Sequence, residues 1–318
     1  MPARPARDSR APSPAAALTL PLRGPAGEPV DLRRVVNSHG LADLAPMRVV
    51  DGGRRLEVTL ATGRGARTVV VGPAGRTRAR IDVAGRRPGA RLAAEIAREV
   101  RHVLSLDDDL SGFYALAASD PDLEWATAGA GRMARGQTVF EDVVKTICTT
   151  NCAWSATERM VGTIVGRLGE RAPGAPPDGP LGRAFPSAAA MAEAGEGFYR
   201  EVARAGYRAR SLHGVASAVA DGRVDLELLG RATREELDDA AVGDALESLP
   251  GIGPYAAAHV MLLIGRPSRL ILDSWTRPTF ARLSGRRRAS DRTIERRFRR
   301  YGPHAGLALW LFLTRDWA

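Results

Sequence analysis

The chain has 318 residues, 44% of them hydrophobic, and a formal net charge of +10 from 46 lysines and arginines against 36 aspartates and glutamates. That length fits two or three lobes around a sizeable core, and no apolar run approaches the roughly 20 residues a membrane span needs. The basic balance points to an anionic partner, nucleic acid first, although a solubility bias produces the same charge.

Residues 1–17 read as a disordered basic tail. Met1 to Pro14 are rich in Pro, Arg and Ala and lack the apolar stretch of a secretory signal. Residues 18–106 read as a β-rich lobe. Leu56-Glu57-Val58-Thr59-Leu60 alternates apolar and polar, Thr62 to Gly65 supply a turn, and Thr68 to Val71 follow as a partner strand. Leu92, Ile96, Val100, Val103 and Leu104 then share one face of an amphipathic helix.

Residues 107–318 read as mostly helical, which makes the chain α+β. Phe140, Val143, Val144 and Ile147 have helical spacing, residues 171–186 form a Pro/Gly-rich linker, and an apolar stretch from Leu307 to Leu313 closes the chain. Cys148 and Cys152 are the only cysteines. Two thiols exclude an iron–sulfur cluster and a cysteine-based zinc site, and so few fit a reducing cytosol. Among the 46 lysines and arginines only Lys145 is a lysine.

The most informative segment runs from Leu246 to Ala258. Pro250 cannot continue a helix, Gly251 and Gly253 allow a tight turn, and Pro254 suits the first position of a new helix. Two helices joined by such a turn aim backbone N–H groups outward, where they can hold a phosphate oxygen. Ile252 is expected to pack inward and pin the turn. A plain helical hairpin punctuated by Gly and Pro is the other reading of a bare Gly-x-Gly.

The full string Leu249-Pro250-Gly251-Ile252-Gly253-Pro254 resembles the hairpin of the HhH-GPD DNA glycosylase superfamily. Further segments extend the resemblance from about Gly131 to Trp317: Phe140 to Asn151, Phe185-Pro186-Ser187, Gly206 to Arg210, Arg269 to Arg277, and Gly302 to Gly306. It implies a base-excision-repair enzyme that flips a damaged base out of duplex DNA and cuts its N-glycosidic bond. Essential to that superfamily is an aspartate beyond the hairpin, here Asp273. Such a carboxylate stabilises the oxocarbenium character of the sugar and orients a water. Its other role would be to cap a helix starting at Ser274.

Bifunctional members carry a nucleophilic lysine where this chain has Tyr255, and a phenol forms no imine. Lys145 lies on a different helix, where a surface phosphate contact is the expected role. The resemblance therefore implies a monofunctional enzyme that leaves an abasic site. Asn151 matches the residue that plugs the gap left by the base, with a helix cap as its alternative. Tyr207 and Arg208 match contacts to the orphaned base, with a buried aromatic and a solvated cation as theirs.

In the 8-oxoguanine branch a glutamine and a phenylalanine of the last core helix read and sandwich the lesion. Leu309 and Leu313 stand there, Ala156 replaces an arginine that reads the orphan cytosine, and Asp316 keeps an acidic residue. The pocket then reads as apolar, with Trp275, Trp310 and Phe312 as aromatic walls and His259 on the hairpin helix. Such walls suit an alkylated, electron-poor base; Trp310 and Phe312 could equally be core. The arginine runs Arg286 to Arg288 and Arg296, Arg297, Arg299 and Arg300 track phosphates or form a solvated face.

The expected partner is double-stranded DNA with a damaged base, acted on by a monomer in the cytoplasm, on the nucleoid in a bacterium. No organic cofactor is expected, and the resemblance implies a monovalent cation on the hairpin carbonyls. An 8-oxoguanine-type glycosylase and a catalytically weak damage-binding protein are the alternatives.

Overall fold

The computed structural model describes residues 16–317. Most of the expected tail lies outside them, but Ala16 and Ala17 already belong to the first strand, so ordered structure begins before Leu18. The reason is pairing: Ala16 to Pro21 (β1) run antiparallel to Arg78–Val83 (β5), from Ala16 opposite Val83 to Pro21 opposite Arg78.

Between them lie the short helix Leu32–Val36 (α1) and the strands Met47–Val50 (β2), Arg55–Leu60 (β3) and Arg67–Pro73 (β4). The five strands form one antiparallel sheet in the order β1-β5-β4-β3-β2. The expected hairpin is β3–β4, with Leu56 opposite Val71 and Val58 opposite Val69. Its turn closes through Gly65 N to the Thr62 carbonyl at 3.0 Å. Ala90–Val103 (α2) follows and buries Leu92, Ile96, Val100 and Val103. Those residues join Leu56, Val58, Val69, Val71 and Ile81 in one apolar cluster.

The rest is helical. Ser111–Ala117 (α3), Val139–Thr149 (α4) and Trp154–Leu168 (α5) come first. Ala188–Glu193 (α6), the single turn Gly195–Gly197 (α7), Arg208–Ala220 (α8) and Leu226–Arg231 (α9) follow the Pro/Gly-rich segment. That segment is a folded loop: the Arg183 guanidinium donates to the carbonyls of Gly169 and Pro177, each at 3.0 Å. Asp239–Glu247 (α10) and Pro254–Leu263 (α11) make the hairpin. Thr276–Leu283 (α12), Asp291–Phe298 (α13) and Ala305–Thr314 (α14) complete the chain.

Both α11 and α14 are apolar almost all round, which marks helices at the centre of a core. They share a second cluster with Val143, Val144 and Ile147 of α4. Leu41 and Leu44, from the segment between α1 and β2, also join this cluster, so the β-rich part packs directly on the helices. Among the described residues no helix is long and apolar enough to cross a membrane.

Arg297 and Arg300 are tied to carboxylates of the fold, although Arg300 stays half-exposed. Arg297 donates to Asp120 and Asp122, each at 2.9 Å, and Arg300 pairs with Asp120. Tyr301 Oη donates to the same Asp120 at 2.6 Å. The carboxyl of Asp120 is nearly buried, so it needs these donors, and they hold it down at about 2. Arg286, Arg287 and Arg288 are exposed.

Candidate active site

The hairpin forms as its residues dictate. Gly251 sits at φ +86°, which favours glycine, and a Cβ there would meet the Ser211 side chain at 2.8 Å. Ile252 is buried, and its N–H donates to the Leu249 carbonyl at 3.2 Å. Gly253 caps α11 in an extended conformation, with Pro254 at the first helical position. Both glycines are exposed, and among the described residues neither amide has an acceptor. Free amides beside a helix N-terminus favour an anion.

Asp273 is reached through a loop held at several points. Arg269 pairs with Asp244 and Glu247 of α10 and lies flat over Gly243, where a side chain would collide with it. Gly306, at the start of α14, donates to the Pro267 carbonyl at 2.7 Å; a Cβ there would run into the Arg269 carbonyl oxygen. The loop is thereby clamped between the hairpin and α14, and it delivers Asp273 to the mouth of the site.

The helix after it starts at Thr276, two residues later than expected. The extra turn arises because Asp273 Oδ1 accepts from both Trp275 N, at 2.9 Å, and Thr276 N, at 2.6 Å. One carboxylate oxygen therefore holds the backbone. Oδ2 accepts no hydrogen bond among the described residues, so the capping and catalytic roles are compatible. The charge of Asp273 is felt by three neighbours: it raises Tyr255 and Arg277 and opposes the lowering of His259.

A cluster of aromatic rings begins beside this carboxylate, at Trp275. Trp275, Trp310 and Trp317 form a triangle with centroid separations of 5.9, 5.7 and 5.8 Å. His259 lies 6.1 Å from Trp310 and 6.2 Å from Tyr255. Burial pushes His259 down to about 4, against the pull of Asp273. Tyr255, half-buried, is raised by burial and then by Asp273.

Tyr255, His259, Trp275, Trp310 and Asp273 thus come together. Phe312 does not: it packs at a tilt on Phe280 at 5.5 Å and edge-on against Phe298 at 5.7 Å, and is core. Leu309 and Leu313 are buried in the main apolar cluster. Asp316 lies beyond the end of α14, 79% exposed and 3.7 Å from Arg315, so it turns to solvent instead of lining a pocket.

A second group gathers at the end of α4. Thr150 caps that helix, and Asn151 stands beyond it, exposed, at φ +47°. Arg208 is buried, not a solvated cation; its Nε donates to Thr150 Oγ1 at 3.3 Å and its Nη2 to the Thr150 carbonyl. Its guanidinium lies 4.4 Å over the Tyr207 ring, which is 66% exposed and therefore no core aromatic. Asn151, Tyr207 and Arg208 are thus one protrusion, with Arg208 as its brace.

Lys145 makes no surface contact. Its amine is buried within α4, 2.7 Å from Glu141 Oε1. Beside this pair, burial and the Glu141 charge push Asp142 up to about 7. Cys148 is buried and its thiol is pushed up to about 12, and the Cys152 thiol donates to the Cys148 carbonyl at 3.2 Å. Among the described residues no three His, Cys, Asp or Glu side chains are grouped to hold a metal ion.

Sequence reasoning missed Trp317 and the pair Ser38–His39. Trp317 stands seven residues after Trp310, a spacing that could have suggested a shared face. Ser38 and His39 carry no local signal; they arrive by long-range docking, Trp310 Nε1 donating to the Ser38 carbonyl at 2.8 Å.

No family model matches the sequence, and no curated protein matches it. Solved structures do match. A 3-methyladenine DNA-glycosylase from Archaeoglobus fulgidus superimposes with a TM-score of 0.70 at 21% identity, over 95% of this chain and 99% of its own. An 8-oxoguanine glycosylase/lyase from Clostridium acetobutylicum, in its apo form, gives a TM-score of 0.63 at 18% identity, over 88% and 93%. The same enzyme in complex with double-stranded DNA containing cytosine opposite 8-oxoguanine gives 0.62 at 17%, over 87% and 92%. The chain therefore has the α+β fold of the 3-methyladenine and 8-oxoguanine DNA glycosylases, the helix–hairpin–helix architecture its hairpin resembles.

Proposed function

We propose that the protein is a monofunctional DNA glycosylase of base excision repair that removes alkylated bases and leaves an abasic site. The observation that carries this reading is the divided carboxylate of Asp273. One oxygen is fixed by two backbone amides and the other is free, next to aromatic rings and one hairpin away from unpaired amides. The names of the similar structures, 3-methyladenine and 8-oxoguanine glycosylases, support the reaction class.

In this reading the Gly251 and Gly253 amides hold a backbone phosphate, and the Asn151–Tyr207–Arg208 protrusion enters the stack where the base has left, offsetting a few kcal/mol of lost stacking and pairing. The extruded base meets Trp275 and Trp310, whose electron-rich faces favour a cationic alkylated ring. The free oxygen of Asp273 then stabilises positive charge developing on the sugar and orients the attacking water. Tyr255 fills the lyase position and Lys145 is locked in its ion pair, so water is the nucleophile. The Pro250 and Ile252 carbonyls accept no hydrogen bond among the described residues. A monovalent cation held there would add positive charge beneath the phosphate.

The test is release of bases from duplexes bearing single lesions. The expected result is faster release of 3-methyladenine than of 8-oxoguanine, with intact strands until alkali is added. A clear excess for 8-oxoguanine would overturn the alkylated-base reading. Tight binding without release from any duplex would make the protein a damage sensor.

A further inference from the structure

The β-rich part of the chain reaches the site through one loop. His39 follows Ser38 there, is almost fully buried, and has Nε2 at 2.5 Å from the Ala134 carbonyl oxygen. A carbonyl only accepts, so Nε2 carries the hydrogen. The ring is neutral: burial first, then His259 and Lys145, push it down to about 3. A neutral imidazole protonated at Nε2 presents a bare lone pair at Nδ1. That atom is buried and has no partner.

Beside it lies His259, the two ring centroids 6.1 Å apart and the planes nearly perpendicular. Both ring nitrogens of His259 are buried without a partner. This ring is neutral too, so it carries one N–H and one lone pair in either tautomer. An unpartnered buried polar atom costs free energy, and native proteins hold few of them. Three on adjacent rings, bordered by Tyr255, Trp310 and the charge of Asp273, need an explanation that apolar packing does not supply.

We propose that His39 and His259 read the extruded base through an exocyclic amino group and an adjoining acceptor, so that the protein takes damaged bases that retain that amine. The inference rests on the glycosylase reading and narrows its substrate class. His39 Nδ1 accepts an N–H of the amino group. The N–H of His259 is then free for a neighbouring ring nitrogen or carbonyl oxygen of the same base. Adenines alkylated at N3 or N7 bear that pattern on one edge, the N6 amine beside N1. Two neutral imidazoles also leave a cationic base unrepelled. Ethenoadenine, whose amine is closed into a ring, offers His39 no hydrogen.

The test uses the full chain and single-turnover release from duplexes carrying 3-methyladenine or ethenoadenine. His39→Phe and His259→Phe keep a flat ring and remove the nitrogens. His259→Phe breaks no hydrogen bond in the structure, so it carries the test even if His39→Phe, which loses Ala134, fails to fold. In each folded variant the rate ratio of 3-methyladenine to ethenoadenine is expected to fall by about tenfold or more, the scale of one lost base contact. An unchanged ratio in folded His259→Phe would overturn the inference and leave glycosylase activity standing. No base release by the wild type from either duplex, or from any other methylated DNA, would overturn both.

Discussion

Lys145 Nζ lies 2.7 Å from Glu141 Oε1, one helical turn earlier on α4, and both side chains are buried. Removing one member of such a pair strands the other charge, which costs about 3–5 kcal/mol. Lys145→Met is expected to destabilise the protein by about that amount. Adding Glu141→Gln should recover much of the loss, because Gln keeps an acceptor for the Gln137 amide that Glu141 Oε2 now receives at 3.1 Å. Urea unfolding of the three proteins measures this. A double variant no more stable than the single one would mean that the charges are not coupled.

In the monofunctional reading proposed above, the same burial keeps the only lysine amine out of the reaction. Borohydride added during turnover on lesion-bearing DNA is expected to trap no protein–DNA adduct. A trapped adduct that Lys145→Met abolishes would put an imine into the mechanism and make the enzyme a lyase.

Asp142 gives a pH dependence with a definite sign. Its carboxyl is raised to about 7 by burial and then by Glu141, against Gly136 N–H, Lys145 and Arg135. Between the ordinary aspartate value and about 7 the folded state holds a proton that the unfolded state has lost. Stability therefore falls as pH rises through that window. Asp142→Asn keeps an acceptor for Gly136 N, now at 2.8 Å, and has nothing to ionise. It should match the wild type near pH 4 and be more stable by on the order of 2–4 kcal/mol above pH 7. Equal stability at both pH values would show that Asp142 is ionised in the fold.

Local pattern made much of this legible. The β3–β4 pairing follows from alternation at Leu56, Val58 and Leu60, and the hairpin from glycine and proline placed where a turn requires them. Asp273 is singled out by the resemblance, from its place beyond that hairpin. Lys145 was misplaced because a charged side chain is exposed by default. The signal against that default was Glu141 four residues before it, amid Val143, Val144 and Ile147. His39 could not be found locally, since its surroundings come from docking distant segments. Ser38 and Trp310 stand 272 residues apart along the chain.

Gly253 separates a phosphate contact from a structural turn. Its backbone is extended, which any residue adopts, and a Cβ there meets nothing within 4 Å. Gly253→Val should therefore fold normally. What it adds is a branched side chain over the amides that would face a phosphate. Affinity for damaged and undamaged duplexes is expected to fall alike, because the hairpin reads no base. Unchanged binding isotherms on both would reduce the hairpin to a structural element.

Asp273 offers the sharpest separation of chemistry from fold. Asp273→Asn can keep an oxygen toward the amides of Trp275 and Thr276, now at 2.9 and 2.6 Å, so α12 and the Trp275 wall should remain in place. What disappears is the negative charge, on the oxygen that caps nothing. If that charge stabilises the sugar cation, substrate binding persists while the chemical step slows by about a hundredfold or more, the scale of losing one preorganised electrostatic group. If Asp273 is only a cap, the rate stays near normal. Single-turnover release measured beside the binding isotherm distinguishes the two, and a thermal melt of the variant within a few degrees of the wild type assigns any loss of rate to charge. A near-normal rate in the folded variant would take Asp273 out of the mechanism and leave the aromatic site without a group to stabilise the sugar cation.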